Sequence, residues 1–563
     1  MVILVLLLCA ALLAPPAAIA QGQKAAAPVY DVIIRNGRVM DGTGNPWFAA
    51  DIGIRDGKIA ALGQLAGASA SRTIDAHGLL ITPGFIDLHT HCDRGFDNPA
   101  LRANEPWLRQ GVTTVMVGVD GNGSWEPSKV AAPRLSTGLG TNVAFYVGHN
   151  TIRKSVMGIE NRAPTPAELQ NMEALVRQGM ENGAFGLSTG LEYIPGIYSS
   201  TDEVVQLTRI AKQYGGIYDS HYRDEFHEFL KSVDEGIEIA QKAGIQVHLG
   251  HFKIIGKRNW GMIPEGLRRI RQARARGLEI TLDQYPWDNG ATSNLEGLIQ
   301  VPPALVELRQ LEDRRRSGVA QTQSFAESER VRREYLSALV KALNEPASRA
   351  QLRAATEAGL TGPSDANWIH KWGYDWIRVV RSTQHPDYVG KLISEIADSS
   401  GKQPFDVMAD LIASEPDIGV SIGPMLEANV AMVMKEPYVA FSSDGSLTEF
   451  GQGFPHPRAY GSFPRVFRKY VREDKVIALE DAVRKMTSYP AQILGMQDRG
   501  QIAIGNWADI AIFDPATIAD KSTYENPHQY SVGVSYVLVN GKVVLENGKL
   551  TKERPGRLLL RGR

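Results

Sequence analysis

Four histidines and one aspartate close apolar, strand-like runs of this sequence, and together they are the residue types that hold a divalent cation. His89 and His91 follow Phe85-Ile86-Asp87-Leu88. Residues i and i+2 of a strand share a face, so both imidazoles reach one point in space. His221 closes Tyr218-Asp219-Ser220, His251 closes Val247-His248-Leu249-Gly250, and Asp444 closes Ala440-Phe441-Ser442-Ser443. Alternation along the Val247 run puts His251 at its mouth and turns His248 to the opposite face as a structural residue. Neutral imidazoles converging with a carboxylate suit Zn²⁺ or a similar first-row cation. Any one of them alone would read as a satisfied polar core residue, but five at strand ends read as a site. The chemistry is metal-assisted hydrolysis, in which the ion activates water and polarises a carbonyl. Asp444 is then the natural general base. His149 ends a further run, Val143–Val147, and reads as hydrogen-bonding support rather than as a ligand.

Such a set needs a scaffold that gathers strand ends. Eight apolar runs alternate with helical patterns: Phe85–Leu88, Thr113–Val119, Val143–Val147, Ala184–Ser188, Gly216–Asp219, Ile245–Gly250, Glu279–Gln284 and Tyr438–Phe441. This is the α/β pattern of a closed (β/α)8 TIM barrel, whose chemistry lies at the carboxyl ends of its strands. The barrel is expected over residues 84–490. A ninth run, Trp376–Val380, falls in an oversized excursion between the seventh and eighth strands. Residues 288–370 read as a helical insertion there, either a lid or a solvated bulge. The two ends of the chain resemble each other, with short β-rich runs and the turn signals Asn36-Gly37, Asp56-Gly57 and Asn540-Gly541. Residues 28–83 and 491–555 are expected to combine into one small β-sandwich domain.

Composition narrows the class. The 563 residues carry 61 Lys+Arg against 62 Asp+Glu, a net charge of −1, with 43% hydrophobic residues. No basic excess exists to displace counterions, which argues against a nucleic-acid partner. The run from Val2 to Leu13, followed by Ala18-Ile19-Ala20 before Gln21, reads as a secretory signal over residues 1–20 and predicts a periplasmic or secreted protein. Its apolar core is short for a span, so no stable membrane insertion is expected. Cys9 lies inside the signal, leaving Cys92 alone in the mature chain and no disulfide.

The strand-one His-x-His pair, the histidines of strands five and six and the strand-eight aspartate resemble the amidohydrolase superfamily. Gly186-Leu187-Ser188-Thr189-Gly190-Leu191-Glu192-Tyr193, Gly250-His251-Phe252-Lys253, Asp283-Gln284-Tyr285-Pro286 and His456-Pro457-Arg458-Ala459-Tyr460-Gly461-Ser462-Phe463-Pro464-Arg465 are similar to segments of the N-acyl-D-amino-acid deacylases, or D-aminoacylases. The resemblance runs from about Tyr30 to Leu550 and implies one or two Zn²⁺ ions and a small N-acyl amino acid as substrate. It implies that Lys253 and Tyr285 hold the substrate carboxylate, as their chemistry allows. The sequence departs from it at strand two, where many relatives carry a cysteine ligand in Gly-Asn-Cys-Gly. Here the stretch is Gly118-Val119-Asp120-Gly121, so Asp120 takes the thiolate's place, ligating one ion or bridging two, or else capping the turn. Cys92 is out of step with the histidine pair and reads as a packing residue. Tyr193, on the loop after strand four, is placed to donate to the carbonyl oxygen as charge develops, or is an ordinary loop aromatic. Arg223, two residues past His221, either assists with substrate or pairs with Asp224 or Glu225. Hydrolysis of N-acyl-D-amino acids leads. A cyclic-amide hydrolase or dipeptidase keeps the fold, although strand four lacks the lysine that many of those enzymes carry. A non-catalytic scaffold is opposed by the intact ligand set.

Overall fold

The computed structural model describes residues 29–320, 325–358, 369–370 and 373–562. The proposed signal over residues 1–20 lies outside the described residues.

Eight parallel strand positions form a ring. Phe85–Asp87, Val112–Val117 and Asn142–Phe145 make one arc. Val147–Gly148, which continues the third strand, begins a second arc through Gly186–Gly190, Ile217–His221, Val247–Leu249, Ile280–Gln284 and Val439–Phe441. The ring closes where Gly445–Ser446, just past the eighth strand, pairs in parallel with Thr90–His91, just past the first. Those short extensions set His91 and Asp444 beside each other. Nearly every strand residue is buried, as parallel strands covered on both faces require. Amphipathic helices such as Thr201–Gln213 and Phe229–Ala243 supply the outer cover. The helix Pro166–Glu181 is started by a capping box between Thr165 and Glu168.

Strands from both termini build one nine-stranded sheet. Leu80–Pro83 pairs antiparallel with Ile510–Phe513 and joins the N-terminal strands to the C-terminal ones. Val32, Ile34, Ile52, Ile54, Ile510, Ile512 and Leu538 form its apolar cluster, so neither terminal segment buries its face alone. Two turn signals act as such: Asp56-Gly57 links Phe48–Arg55 to Lys58–Gly63, and Asn540-Gly541 links Val534–Val539 to Lys542–Glu546, all four residues having positive φ. Asn36-Gly37 does not turn the chain. It sits inside the continuous strand Val29–Val39, where the pairing with Phe48–Arg55 slips between Ile34 and Gly37. A β-carbon on Gly37 would lie 2.1 Å from Ile81 Cδ1, so glycine serves close packing there, at a bulge.

The excursion between the seventh and eighth strands carries sheet as well as helix. Asn289–Asn294, Ile377–Arg381 and Gly419–Pro424 form an antiparallel sheet with the last in the middle. Helices including Phe325–Asn344 and Pro404–Ser414 pack on it through Tyr335, Leu339, Trp376, Phe405 and Val420. The ninth apolar run is an edge strand of this sheet. Its strand partner, Gly419–Pro424, lies about 40 residues away in sequence, with no hairpin turn between them to announce the pairing.

Candidate active site

The mouth of the ring gathers the histidines through backbone geometry as much as through alternation. Asp120, His251 and Asp444 all have left-handed backbone, with φ of 54°, 37° and 51°. The chain turns sharply there, so each side chain is thrown back over the strand ends. Asp87, at the end of the first strand, braces this corner. Its carboxylate accepts from the backbone N–H of His89 and Ser443 and from the Trp107 indole, and burial pushes its pKa up to about 6.

Asp120 stands at the centre. Its Oδ1 lies 3.3 Å from His89 Nε2, 3.6 Å from His251 Nε2 and 3.8 Å from His221 Nδ1, and its Oδ2 lies 3.4 Å from His91 Nε2. The turn that follows is held by Asn122 N donating to the Val119 carbonyl, and the Asp120 carboxylate takes no part in it. Asp444 Oδ1 is 3.1 Å from His91 Nε2 and 3.8 Å from His89 Nε2, while its Oδ2 meets Arg458 Nη1 at 2.8 Å. Burial opposes ionisation of both aspartates, but the surrounding imidazoles, with Arg458 beside Asp444, hold both carboxyls well below the usual range.

Both ring nitrogens of His89 and Oδ1 of Asp120 are buried without a hydrogen-bond partner. Orphaned buried polar atoms are costly, and a cation is what this donor set would satisfy. Two ligand groups share Asp120: His89 and His91 on one side, His221 and His251 on the other. The residues present therefore fit a metal, and a carboxylate common to two groups fits either one ion or a bridged pair.

Two acids not anticipated from the sequence complete the mouth. Glu192 Oε2 lies 2.9 Å from His221 Nε2, and Glu225 Oε1 lies 3.1 Å from His251 Nδ1. A carboxylate that accepts one ring N–H turns the other nitrogen inward, and the two inward nitrogens, His221 Nδ1 and His251 Nε2, lie 2.8 Å apart, with Asp120 Oδ1 at 3.8 and 3.6 Å. Both acids sit on loops, where an isolated Glu looks like any solvated surface acid. Arg458 appears in sequence only within the His-Pro-Arg segment. Its backbone N–H donates to His456 Nδ1, and its Nη1 donates to the Gly290 carbonyl as well as to Asp444.

The remaining candidates divide. Tyr193 lines the cavity with its hydroxyl 3.3 Å from His221 Nδ1, and burial pushes its pKa well up, so it stays a donor. Lys253 lines it too, with Nζ 2.6 Å from Glu225 Oε1. Tyr285 stands behind that wall, its ring between Lys253 and Arg458 at 5.7 and 4.8 Å. Arg223 does not reach the mouth. The strand ends at His221, alternation ends with it, and the guanidinium turns away to Glu235 at 2.8 Å and the Ile197 carbonyl at 3.0 Å. Its partner is neither Asp224 nor Glu225. His149 is buried against Glu203 at 2.9 Å, and Cys92 is buried in the core.

The cavity opens to solvent above the cluster. Its floor is the charged cluster, and Ile255, Ala291, Trp376 and Ile422 form its outer wall. Three of those four come from the excursion.

The amidohydrolase family profile matches residues 72–545. An N-acyl-D-glutamate deacylase of Alcaligenes xylosoxydans xylosoxydans is 32% identical over 555 residues, covering 94% of this chain and 96% of the relative. Among solved structures, the N-acyl-D-glutamate deacylase of Bordetella bronchiseptica, in complex with zinc and a phosphonate mimic of the tetrahedral intermediate, is 30% identical with a TM-score of 0.70. The match covers 95% of this chain and all of that one. A D-aminoacylase structure described by its binuclear metal centre is 30% identical, TM-score 0.70, over 94% of this chain and all of that one.

Proposed function

The chain belongs to the amidohydrolase family, and from that membership and the charge of its mouth we propose that it hydrolyses the amide bond of N-acyl-D-amino acids, releasing a carboxylate and a free D-amino acid. The carrying observation is the Asp120-centred cluster of His89, His91, His221 and His251, with Asp444 beside it and the cations Lys253 and Arg458 on the same cavity wall. The metal is Zn²⁺, one ion or two, held by these histidines with Asp120 and Asp444. When bound, it lowers the pKa of water toward neutrality and polarises the scissile carbonyl.

The residues divide the rest of the work. Asp444 is held ionised, with Oδ2 fixed by Arg458 and Oδ1 turned to the histidines. It takes the proton of the attacking water and passes it to the departing amine. Tyr193, kept protonated by burial, donates to the carbonyl oxygen as it gains charge. Lys253 and Arg458 attract the α-carboxylate, and Arg458 has a buried Nε still without a partner. Tyr285 backs both cations. D-stereochemistry follows from the relatives.

The cyclic-amide alternative lacks a lysine on the fourth strand, Gly186–Gly190, where Ser188 and Thr189 are taken up by Gly118 and Tyr218. The apolar Val2–Leu13 run and the Ala18-Ile19-Ala20 site support export to the periplasm or medium. No helix among the described residues is long and apolar enough to cross a membrane. A panel of N-acetyl-D- and N-acetyl-L-amino acids, with elemental analysis of the same preparation, tests the reading. D-substrates should be cleaved by a zinc-containing protein, whereas turnover confined to cyclic amides or dipeptides would overturn it.

A further inference from the structure

Glu225 belongs to the loop after the fifth strand, yet its side chain is only 4% exposed. A buried carboxylate is costly unless cations and donors surround it. One oxygen, Oε1, lies 2.6 Å from Lys253 Nζ, 3.1 Å from His251 Nδ1 and 3.9 Å from His221 Nε2. Lys253 Nζ is itself 2.7 Å from His251 Nδ1, so the ammonium and the imidazole compete for the same carboxylate oxygen. The backbone repeats the link, since Ile255 N donates to the Glu225 carbonyl at 2.9 Å. The loops after strands five and six are thus laced together at the point where the ligand cluster meets the cavity wall.

We propose that Glu225 is a positioning residue that couples the two halves of the site, orienting His251 toward the ligand cluster and Lys253 toward the substrate. By accepting Nδ1–H it turns Nε2 of His251 inward, toward Asp120 at 3.6 Å and His221 Nδ1 at 2.8 Å. By pairing with the ammonium it holds Lys253 at the wall. A substrate carboxylate that draws Lys253 away weakens the Lys253–Glu225 contact and leaves Glu225 a stronger acceptor for His251. The effect is reciprocal, as any coupling between two binding events must be. The Lys253 arm rests on the reading of that lysine as the carboxylate partner; the His251 arm does not.

Glu225→Gln keeps the shape and removes the charge. Zinc affinity, read by chelator competition on the metal-depleted protein without substrate, should fall ~10- to 100-fold. Glu225→Asp should recover part of that loss. At saturating zinc, KM for an N-acetyl-D-amino acid should rise more than kcat falls, and the effects of Glu225→Gln and Lys253→Met on KM should be strongly non-additive. A merely structural carboxylate would lower Tm but leave zinc affinity and KM within about twofold in both variants, and that result overturns the proposal. Additive effects on KM overturn the coupling. A fall in zinc affinity in a protein that cleaves no N-acyl-D-amino acid would refute the deacylase reading and leave the His251 arm standing.

Discussion

The sixth strand, Val247–Leu249, serves two histidine–carboxylate clusters, one on the strand and one just past its end. On the strand, His248 Nδ1 meets Thr281 Oγ1 at 2.8 Å and Nε2 meets Asp283 Oδ2 at 2.7 Å. Asp283 Oδ1 accepts from the backbone of His251 and from the Ser442 hydroxyl. Every polar atom of that pair has a partner. At the mouth, His251 belongs to a cluster in which both nitrogens of His89 and one oxygen of Asp120 have none. The residue types are the same and the burial is equal. What separates a brace from a site is incomplete pairing, because a buried group left unpaired is tolerated only where something else satisfies it.

The sharpest way to break this comparison is at Asp444. Asp444→Asn should cut kcat by a hundredfold or more, as expected for loss of a general base, with bound metal largely retained. Steady-state kinetics with elemental analysis would show it, and near-normal kcat would assign the proton to another group. Asp120→Ala removes the shared carboxylate and should lower metal stoichiometry and activity together, whereas Asp120→Cys should keep at least one zinc ion. Full metal content in Asp120→Ala would take that residue out of the ligand set.

The brace should answer differently. His248→Gln leaves a buried carboxylate less well paired and should cost ~1–3 kcal/mol by denaturant unfolding, with metal stoichiometry unchanged. A loss of metal without a loss of stability would reverse the two assignments. The smallest effect is in pH. Burial raises the Asp283 carboxyl, but the hydrogen bond and charge of His248 and the charge of His89 outweigh it and hold the pKa at about 2. Its folded value lies below its unfolded value, so its contribution is fully present above pH ~4 and is lost as pH falls toward 2, at most about 2.5 kcal/mol. Unfolding midpoints across that window should fall with pH in the native chain and fall less in Asp283→Asn.

Period-two alternation sufficed to pair His89 with His91, which lie next to regular strand, whereas His251 lies past the end of its strand at Leu249 and reaches the mouth through its left-handed backbone. The same rule failed for Arg223, where the strand stops at His221 and side-chain direction passes to a loop. Glu192 and Glu225 were illegible for the same reason, since nothing local marks a loop acid as buried. Asn36-Gly37 carries a turn signal that tertiary pairing with Leu80–Pro83 overrides. The sheet of the excursion joins residues 289–294, 377–381 and 419–424, and such distant pairing leaves no periodic trace; yet it supplies Ala291, Trp376 and Ile422 to the cavity.

The left-handed backbone of Asp120, His251 and Asp444 has a consequence for laboratory evolution. A β-carbon in that conformation costs ~1 kcal/mol, and glycine would adopt it without strain. Glycine at these positions would also remove a buried charge or a buried imidazole. Three of the residues most needed for turnover are therefore places where the inert chain is the more comfortable one. Selection for heat resistance alone would drift toward a robust and silent barrel, so thermostability and turnover have to be screened together in this protein.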